Sequence, residues 1–185
     1  MAQDVMIDIE TWGRQPNGLV VSIGAAFFDL KHQGIDLSFQ TNIDPVDAQK
    51  VGMYIDAATI DWWFEQDAGA LSAFRADRGT MRSAFLALAA FIPGDAQVWA
   101  RGPGFDLNIL RAGFQLLDIE CPWKFWNERC HRTFLEDMYR LGVNTDKVDG
   151  GLTAHAALDD CIIQVRTMQA AWRNLREKMR CSASV

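Results

Sequence analysis

The sequence lacks several features that would place it in a special class. No apolar run approaches the roughly 18 residues that a membrane-spanning helix needs, so we expect no membrane association. The first residues show no basic segment followed by an apolar core, so we expect no secretory signal and a cytoplasmic location, in a bacterium or a phage-infected host cell. The four cysteines are scattered and form no Cys-x-x-Cys pair, which argues against a zinc or disulfide framework.

The sequence also has no excess of positive charge, since its formal net charge is −6 at pH 7. This argues against a protein that grips nucleic acid mainly through a basic surface. It does not exclude an enzyme that holds phosphates through metal ions, because acidic ligands would contribute to the negative charge. The three histidines are too few for a histidine-rich metal site.

What remains is an ordinary globular composition, with 49% hydrophobic and 23% charged residues in a chain of 185. A chain of this length is large enough for a hydrophobic core, and neither internal repeats nor low-complexity segments are evident. We therefore expect residues 1–185 to form a single domain.

Three strands are expected first, and strands then alternate with helices. The β-forming run around Val5–Ile9 predicts a buried strand, followed by strands at 19–30 and 36–43 in an antiparallel meander. Asp44-Pro45 is expected to begin a loop. Helices are predicted from Asp56, over 80–91, from Phe105, over 131–141 and from a Thr153 cap to Met179, with strands at 97–100 and just before Trp126. This order indicates an α/β fold.

Asp8 and Glu10 lie two residues apart at the end of the first strand, so their side chains point to the same side. Two buried carboxylates repel each other, and a hard divalent cation such as Mg²⁺ would relieve that repulsion. The alternative is that Glu10 reaches solvent beyond the strand and Asp8 caps a turn.

Two later places in the chain carry further acidic residues. Asp106 stands just past the strand at 97–100, and Asp159 and Asp160 lie near the start of the last helix. Because neighbouring helical residues are about 100° apart, only one of this pair can face the sheet. His155, five residues before Asp160, could lie beside a metal site or be a surface histidine.

The pair Trp62-Trp63 cannot place both indoles on one face of the predicted helix. One is expected in the core. The other could stack on a nucleobase, because such stacking tolerates any base.

The order of these motifs resembles a known family. Asp-x-Glu in "MIDIETWG", Phe-Asp at 105–106 and His-x-x-x-x-Asp in "HAALDDCIIQ" are similar to the DEDDh exonucleases. Together with the "TIDWWFEQ" helix they look most like the phage-type 3′–5′ exodeoxyribonucleases and the related small bacterial 3′–5′ exoribonucleases. The resemblance implies a ribonuclease H-like fold with a central mixed five-stranded sheet, an antiparallel meander plus parallel strands, flanked by helices.

The resemblance also implies a site. Its four metal ligands would be Asp8, Glu10, Asp106 and Asp160, holding two Mg²⁺ or Mn²⁺ ions. His155 would be the general base, and the five-residue spacing from His155 disfavours Asp159 as the ligand. Catalysis would therefore involve all four acids and His155.

Substrate contacts are expected beside this site. We assign them to Thr11, Trp12, Trp63, Arg101 and Phe105. Many relatives carry a His-Asn pair before Phe-Asp, whereas here Arg101 and a glycine loop stand there. Arg101 could contact a phosphate instead, although a glycine pair is more often turn geometry.

The expected function is a metal-dependent 3′–5′ exonuclease that releases nucleoside 5′-monophosphates from the 3′ end of single-stranded DNA or RNA. The alternatives are a catalytically silent nucleic-acid-binding module and a nucleotide phosphohydrolase on the same fold. No motif reports on the 2′-hydroxyl, so DNA and RNA both stay open. Relatives are often dimers, which leaves a homodimer open as well.

Overall fold

The sheet contains six strands in the order β4-β3-β2-β1-β5-β6 in the computed structural model, which describes residues 3–182. The strands are β1 Asp4–Thr11, β2 Val20–Phe28, β3 Leu37–Ile43, β4 Arg78–Gly79, β5 Gln97–Ala100 and β6 Glu128–Cys130. The helices are α1 Pro45–Val51, α2 Ala57–Phe64, α3 Ala68–Ala73, α4 Met81–Phe91, α5 Asp106–Leu116, α6 His131–Arg140 and α7 Ala157–Ser182, with a 3₁₀ turn at Phe125–Asn127.

The first three strands form the predicted antiparallel meander, and β5 and β6 continue the sheet in parallel beyond β1. The mixed α/β architecture flanked by helices is therefore confirmed. The number of strands differs from the prediction of five. The extra strand is β4, a two-residue segment that pairs in parallel with the end of β3 and is too short to produce an alternating pattern.

The two faces of β1 pack against different layers. Val5, Ile7 and Ile9 belong to the main core, which includes residues of α4 and α5. Met6, on the opposite face, packs with Cys161 and other α7 residues. Because side chains alternate along a strand, Asp8 and Glu10 share the α7 side with Met6. The sheet thus directs both carboxylates toward α7.

The segment expected to begin a loop at Asp44 is instead the start of α1. The Asp44 carboxylate caps this helix by accepting hydrogen bonds from the backbone N–H groups of Val46 and Asp47, and Pro45 occupies its first position. A proline is tolerated there because its missing N–H would have had no helical partner. The loop prediction was wrong because an N-cap followed by proline also resembles a turn.

The start of α7 differs as well, because the helix begins at Ala157 rather than after a Thr153 cap. Thr153 and His155 precede it, and His155 adopts a left-handed φ of 62°. The strand expected before Trp126 lies slightly later, over Glu128–Cys130.

None of the helices described between residues 3 and 182 is long and apolar enough to cross a membrane. The four cysteines are free.

Candidate active site

The four predicted acids and His155 surround one cleft of about 540 Å³. Asp8 and Glu10 come from β1, Asp106 from the first turn of α5 and Asp160 from the first turn of α7. The wall is completed by Ile9, Arg101, Gly102, Gly104, Phe105, Arg132 and Gln164. Elements separated by most of the chain therefore deliver five predicted residues to one place.

A glycine in β2 allows α7 to come this close. Gly24 pairs with Asp8 across the antiparallel ladder, so a side chain at position 24 would stand beside the Asp8 carboxyl. A Cβ atom placed on Gly24 would lie only 2.4 Å from the carbonyl carbon of Ala157. The first turn of α7 occupies this space, which sets Asp160 over the end of β1.

Burial and mutual repulsion make the cleft electrostatically unusual. Burial and the negative charges of Asp160 and Asp106 raise the pKa of Glu10 to about 8. Burial raises the pKa of Asp106 to about 6, against the opposing effect of nearby backbone N–H groups. The pKa of Asp8 is raised well above its ordinary value by burial and by its acidic neighbours. We therefore expect these four acids either to bind cations or to take up protons.

Asp160, and not Asp159, faces the cleft. The Asp159 carboxylate accepts a hydrogen bond of 3.0 Å from the backbone N–H of Thr153, and the Asp160 carboxylate accepts one of 3.0 Å from the backbone N–H of His155. Burial raises the pKa of Asp160. The two acids thus fold the preceding loop onto the helix, and the second one also contributes to the acidic cluster.

His155 lies at the rim of the cleft against an aromatic wall. Its ring meets the Trp62 indole edge-on at a centroid distance of 5.0 Å, and Trp63 lies 6.2 Å away. One ligand atom each of Glu10, His155 and Asp160 lie within 4.8 Å of one another. The imidazole is therefore close enough to act on a molecule held by the acids.

A second cavity of about 450 Å³ adjoins the cleft and shares Ile9, Glu10 and Phe105 with it. Its remaining wall consists of Thr11, Arg14, Ala58, Thr59, Trp62 and Trp63. The aromatic edge of this cavity suits a flat, uncharged group such as a nucleobase.

The predicted substrate contacts lie in different parts of the structure. Thr11, Trp63 and Phe105 line this second cavity, and Arg101 lines the acidic cleft. Trp12 instead packs against the core ring of Phe74, with a centroid distance of 6.2 Å, and lines neither cavity.

The tryptophan pair divides between core and surface. Trp63 is only 3% exposed and donates a hydrogen bond of 2.8 Å to the Thr11 carbonyl, whereas Trp62 is 40% exposed. Trp62 is therefore the indole available for stacking.

Two site residues were missed at the sequence level. Gln164 is buried and donates a hydrogen bond of 2.8 Å to Asp8 Oδ1. It follows Asp160 by four residues, so helical periodicity could have placed it on the same face. Arg132 lines the cleft through the packing of α6, which no local pattern predicts.

This fold and its cluster of acids define a class, the DEDDh-type exonucleases on a ribonuclease H-like scaffold. Within that class, residues 3–172 match the family described as the 3′-5′ exoribonuclease Rv2179c-like domain, and the chain belongs to this family. No curated protein sequence matches the chain significantly.

Solved structures show the same fold at low sequence identity. Escherichia coli exonuclease I in complex with a dT13 oligonucleotide is 13% identical, with a TM-score of 0.70 over 97% of this chain. The zinc-bound form of the E. coli ExoI–ssDNA complex is 14% identical, with a TM-score of 0.70 over 97% of this chain. A product-bound exonuclease I is 14% identical, with a TM-score of 0.64 over 99% of this chain.

The match covers only part of each of these solved proteins. The chain spans 43%, 42% and 48% of these three proteins, respectively. The predictions of a DEDDh exonuclease relative and of a ribonuclease H-like α/β fold are confirmed, and the prediction of a 3′–5′ exonuclease is confirmed at the level of the family.

Proposed function

We propose that this protein is a metal-dependent 3′–5′ exonuclease that removes nucleoside 5′-monophosphates from the 3′ end of a single-stranded nucleic acid. The observation that carries the proposal is the convergence of Asp8, Glu10, Asp106 and Asp160 with His155 around one cleft. The family description favours RNA as the substrate.

The residues fit divalent cations. Glu10 Oε1 is buried and has no hydrogen-bond partner among residues 3–182, so it is a carboxylate oxygen with no neutralising group. The predominance of carboxylate oxygens in the cluster suits Mg²⁺ or Mn²⁺. We assign two such ions to the four acids. When bound, they would lower the pKa of the attacking water and stabilise the charge on the scissile phosphate and leaving oxygen.

The protein's own groups would complete the reaction. His155 is assigned as the general base that takes the proton from the attacking water, because a ring nitrogen can accept a proton and lies within 4.8 Å of carboxylate oxygens of Glu10 and Asp160. Trp62 and the backbone hydrogen bond to Asp160 hold this residue in position. Gln164 fixes the orientation of the Asp8 carboxylate from α7.

The two cavities suggest how a strand would lie. The 3′-terminal nucleoside would occupy the aromatic cavity, with its base against Trp62 or Phe105. The scissile phosphate would then lie over the acids, where Arg101 and Arg132, which also line the cleft, could neutralise phosphate oxygens. In this arrangement the nucleoside and its phosphate lie in adjoining cavities, which is consistent with Glu10 and Phe105 lining both of them.

The test is digestion of RNA and DNA oligonucleotides of matched sequence, labelled at the 5′ end, with Mg²⁺, Mn²⁺ or EDTA. We expect a ladder that shortens from the 3′ end with either metal and no cleavage in EDTA. Blocking the 3′ terminus serves as the control for direction. Internal cleavage of the blocked strand would contradict exonuclease action.

The alternatives give different results in the same assay. Binding without cleavage under every metal condition would indicate the silent module. Faster hydrolysis of free nucleotides than of oligonucleotides would indicate the phosphohydrolase.

A further inference from the structure

A groove with a positive lining lies along α7, at the end of the sheet opposite the acidic cleft. It consists of two adjoining cavities of about 300 Å³ and 220 Å³, which share Gln33, Gln169 and Arg173. We call this the α7 groove. Its charged lining comprises Lys31, Arg166, Arg173, Arg176, Arg180 and one acid, Glu177, with His32 beside them. The rest of the chain is acidic overall, so this concentration of cations is a local feature.

The spacing along α7 produces a single basic stripe. Arg166, Arg173 and Arg180 are seven residues apart and therefore share one helix face, with Arg176 beside them. The helix dipole accounts only for cations in the last turn, which excludes Arg166 and Arg173. Arg173 and Arg176 are exposed and form no ion pair with an acid in the part of the chain that the structure describes.

The opposite wall of the groove is held rigidly. Gln169, which is 4% exposed, donates hydrogen bonds to the carbonyls of Asp29 and Gly34 and accepts one from the Gly34 N–H. Gly34 has a φ of 90°, a conformation that favours glycine. These bonds hold the β2–β3 turn, which carries Lys31, against α7. The backbones that carry Lys31 and the α7 arginines are thus fixed relative to each other before any ligand arrives.

A buried donor at the groove has no partner. Trp172 Nε1 is buried and forms no hydrogen bond to any residue between 3 and 182, and Trp172 lines the larger cavity. Because this N–H is covered by protein, the groove instead offers a ligand the exposed guanidinium groups of Arg173 and Arg176. Phosphate provides both acceptor oxygens and the negative charge that the arginines require.

The stripe leads back toward the active site. Lys147, in the loop before α7, is close enough to Asp160 to act electrostatically on that carboxyl, and Arg166 lies beside Gly150 in the same loop. At about 1.5 Å per residue, Arg173 lies roughly 20 Å along the helix from Asp160. At the axial rise of about 3.4 Å per nucleotide of a stacked helical strand, about six nucleotides would cover that distance.

We infer that the α7 groove is a second binding surface for the phosphate backbone of a single-stranded nucleic acid whose 3′ end occupies the acidic cleft. The inference rests on the proposed function for the identity of the strand. It assigns the groove to the 5′ portion of long substrates. Strands that are too short to reach it are bound by the cleft alone.

The test measures binding by fluorescence anisotropy in EDTA, where metal-dependent hydrolysis does not occur. The variant is Arg173→Gln/Arg176→Gln. The control, Lys50→Gln/Arg75→Gln, makes the same change in net charge at exposed residues that line none of the cavities described here. The strands are about 20 and about 3 nucleotides long, measured between about 50 and 200 mM salt.

We expect the variant to weaken binding of the long strand about fivefold to tenfold and to reduce its salt slope by about 1 to 1.5, since two phosphate contacts are lost. The control variant should bind like the wild type, and the short strand should be unaffected. Unchanged binding of the long strand, or an equal loss for both lengths, would overturn the inference.

The proposed function is tested separately in the same preparation. Absence of hydrolysis with Mg²⁺ would count against the exonuclease but leave the binding result unchanged. A loss of affinity in the variant that is confined to the long strand would support the groove regardless of catalysis.

Discussion

At the scale of single residues, the central feature is His155. It lies outside the helix that carries Asp160, in a left-handed backbone conformation, with its ring edge-on to Trp62. The sequence suggested a histidine beside the acids and placed it inside the helix, whereas in the structure His155 lies near Glu10 and Asp160 but precedes the helix. The chain turn that positions the ring depends on hydrogen bonds from the loop to Asp159 and Asp160, which a helical pattern does not reveal.

We predict that His155→Asn lowers kcat on an RNA oligonucleotide by about 10²–10⁴, because the general base is lost. Asparagine tolerates the positive φ at this position better than most residues, so the fold should be retained. Steady-state kinetics at saturating Mg²⁺ measures the effect, and thermal melting checks the fold. Near-normal kcat in a folded variant would remove His155 from the mechanism.

Glu10 provides a prediction about pH. In the metal-free protein its pKa is raised from 4.5 to about 8, so the native state retains a proton that the unfolded chain loses. Stability is therefore expected to fall as pH rises from about 4.5 to 8. Glu10→Gln removes the part of this dependence that comes from Glu10, and the variant should melt a few degrees higher than the wild type at pH 8 in EDTA, but not at pH 4.5.

Melting curves in EDTA across this pH range measure the difference between wild type and variant. Asp61→Asn, which neutralises an exposed acid of α2, is the control and should follow the wild type. Mg²⁺ should raise the wild-type melting temperature more at pH 8 than at pH 5, because protons compete with the metal. Parallel curves for wild type and Glu10→Gln would contradict the assigned electrostatics.

At the scale of elements, the contact between β2 and α7 positions the site. Gly24 lies against the backbone of Ala157 and opposite Asp8, so the approach of the helix depends on the absence of a side chain. The alternating and periodic patterns predicted β1, the meander and α4 with its Thr80 cap. They could not predict this packing, because a glycine within an apolar strand carries no information about its partner.

We predict that Gly24→Ala destabilises the protein by about 1–3 kcal/mol, the usual cost of inserting a methyl group into tight packing. It should also reduce turnover, since the first turn of α7 carries Asp160. Chemical denaturation and kinetics together measure both effects. Gly94→Ala is the matched control, because a Cβ there meets nothing closer than the Pro122 carbonyl oxygen at 3.8 Å. A fully stable and active Gly24→Ala variant would contradict the account of the contact.

At the scale of the whole molecule, the surface divides by charge. Four acids surround the cleft, while the α7 groove contains most of its charge as arginine and lysine. The net charge of −6 could not reveal this separation, because it is the sum of the charges of both regions. The order of the motifs predicted the fold and the acids, but the groove depends on the β2–β3 turn meeting α7. Only the three-dimensional arrangement brings Lys31 and Arg173 to the same cavity.

The proposed metal site is tested most directly by comparing two neighbouring acids. Turnover of a single-stranded RNA with Mg²⁺ is measured for Asp160→Asn and Asp159→Asn, which remove the same charge from adjacent positions. The cleft assignment predicts that Asp160→Asn loses nearly all activity, because Asp160 faces the cleft. Asp159→Asn should retain most of it, because Asp159 does not line the cleft and an asparagine amide oxygen can still accept the hydrogen bond from the Thr153 N–H. Equal activity of the two variants, or a greater loss for Asp159→Asn, would contradict the proposed metal site.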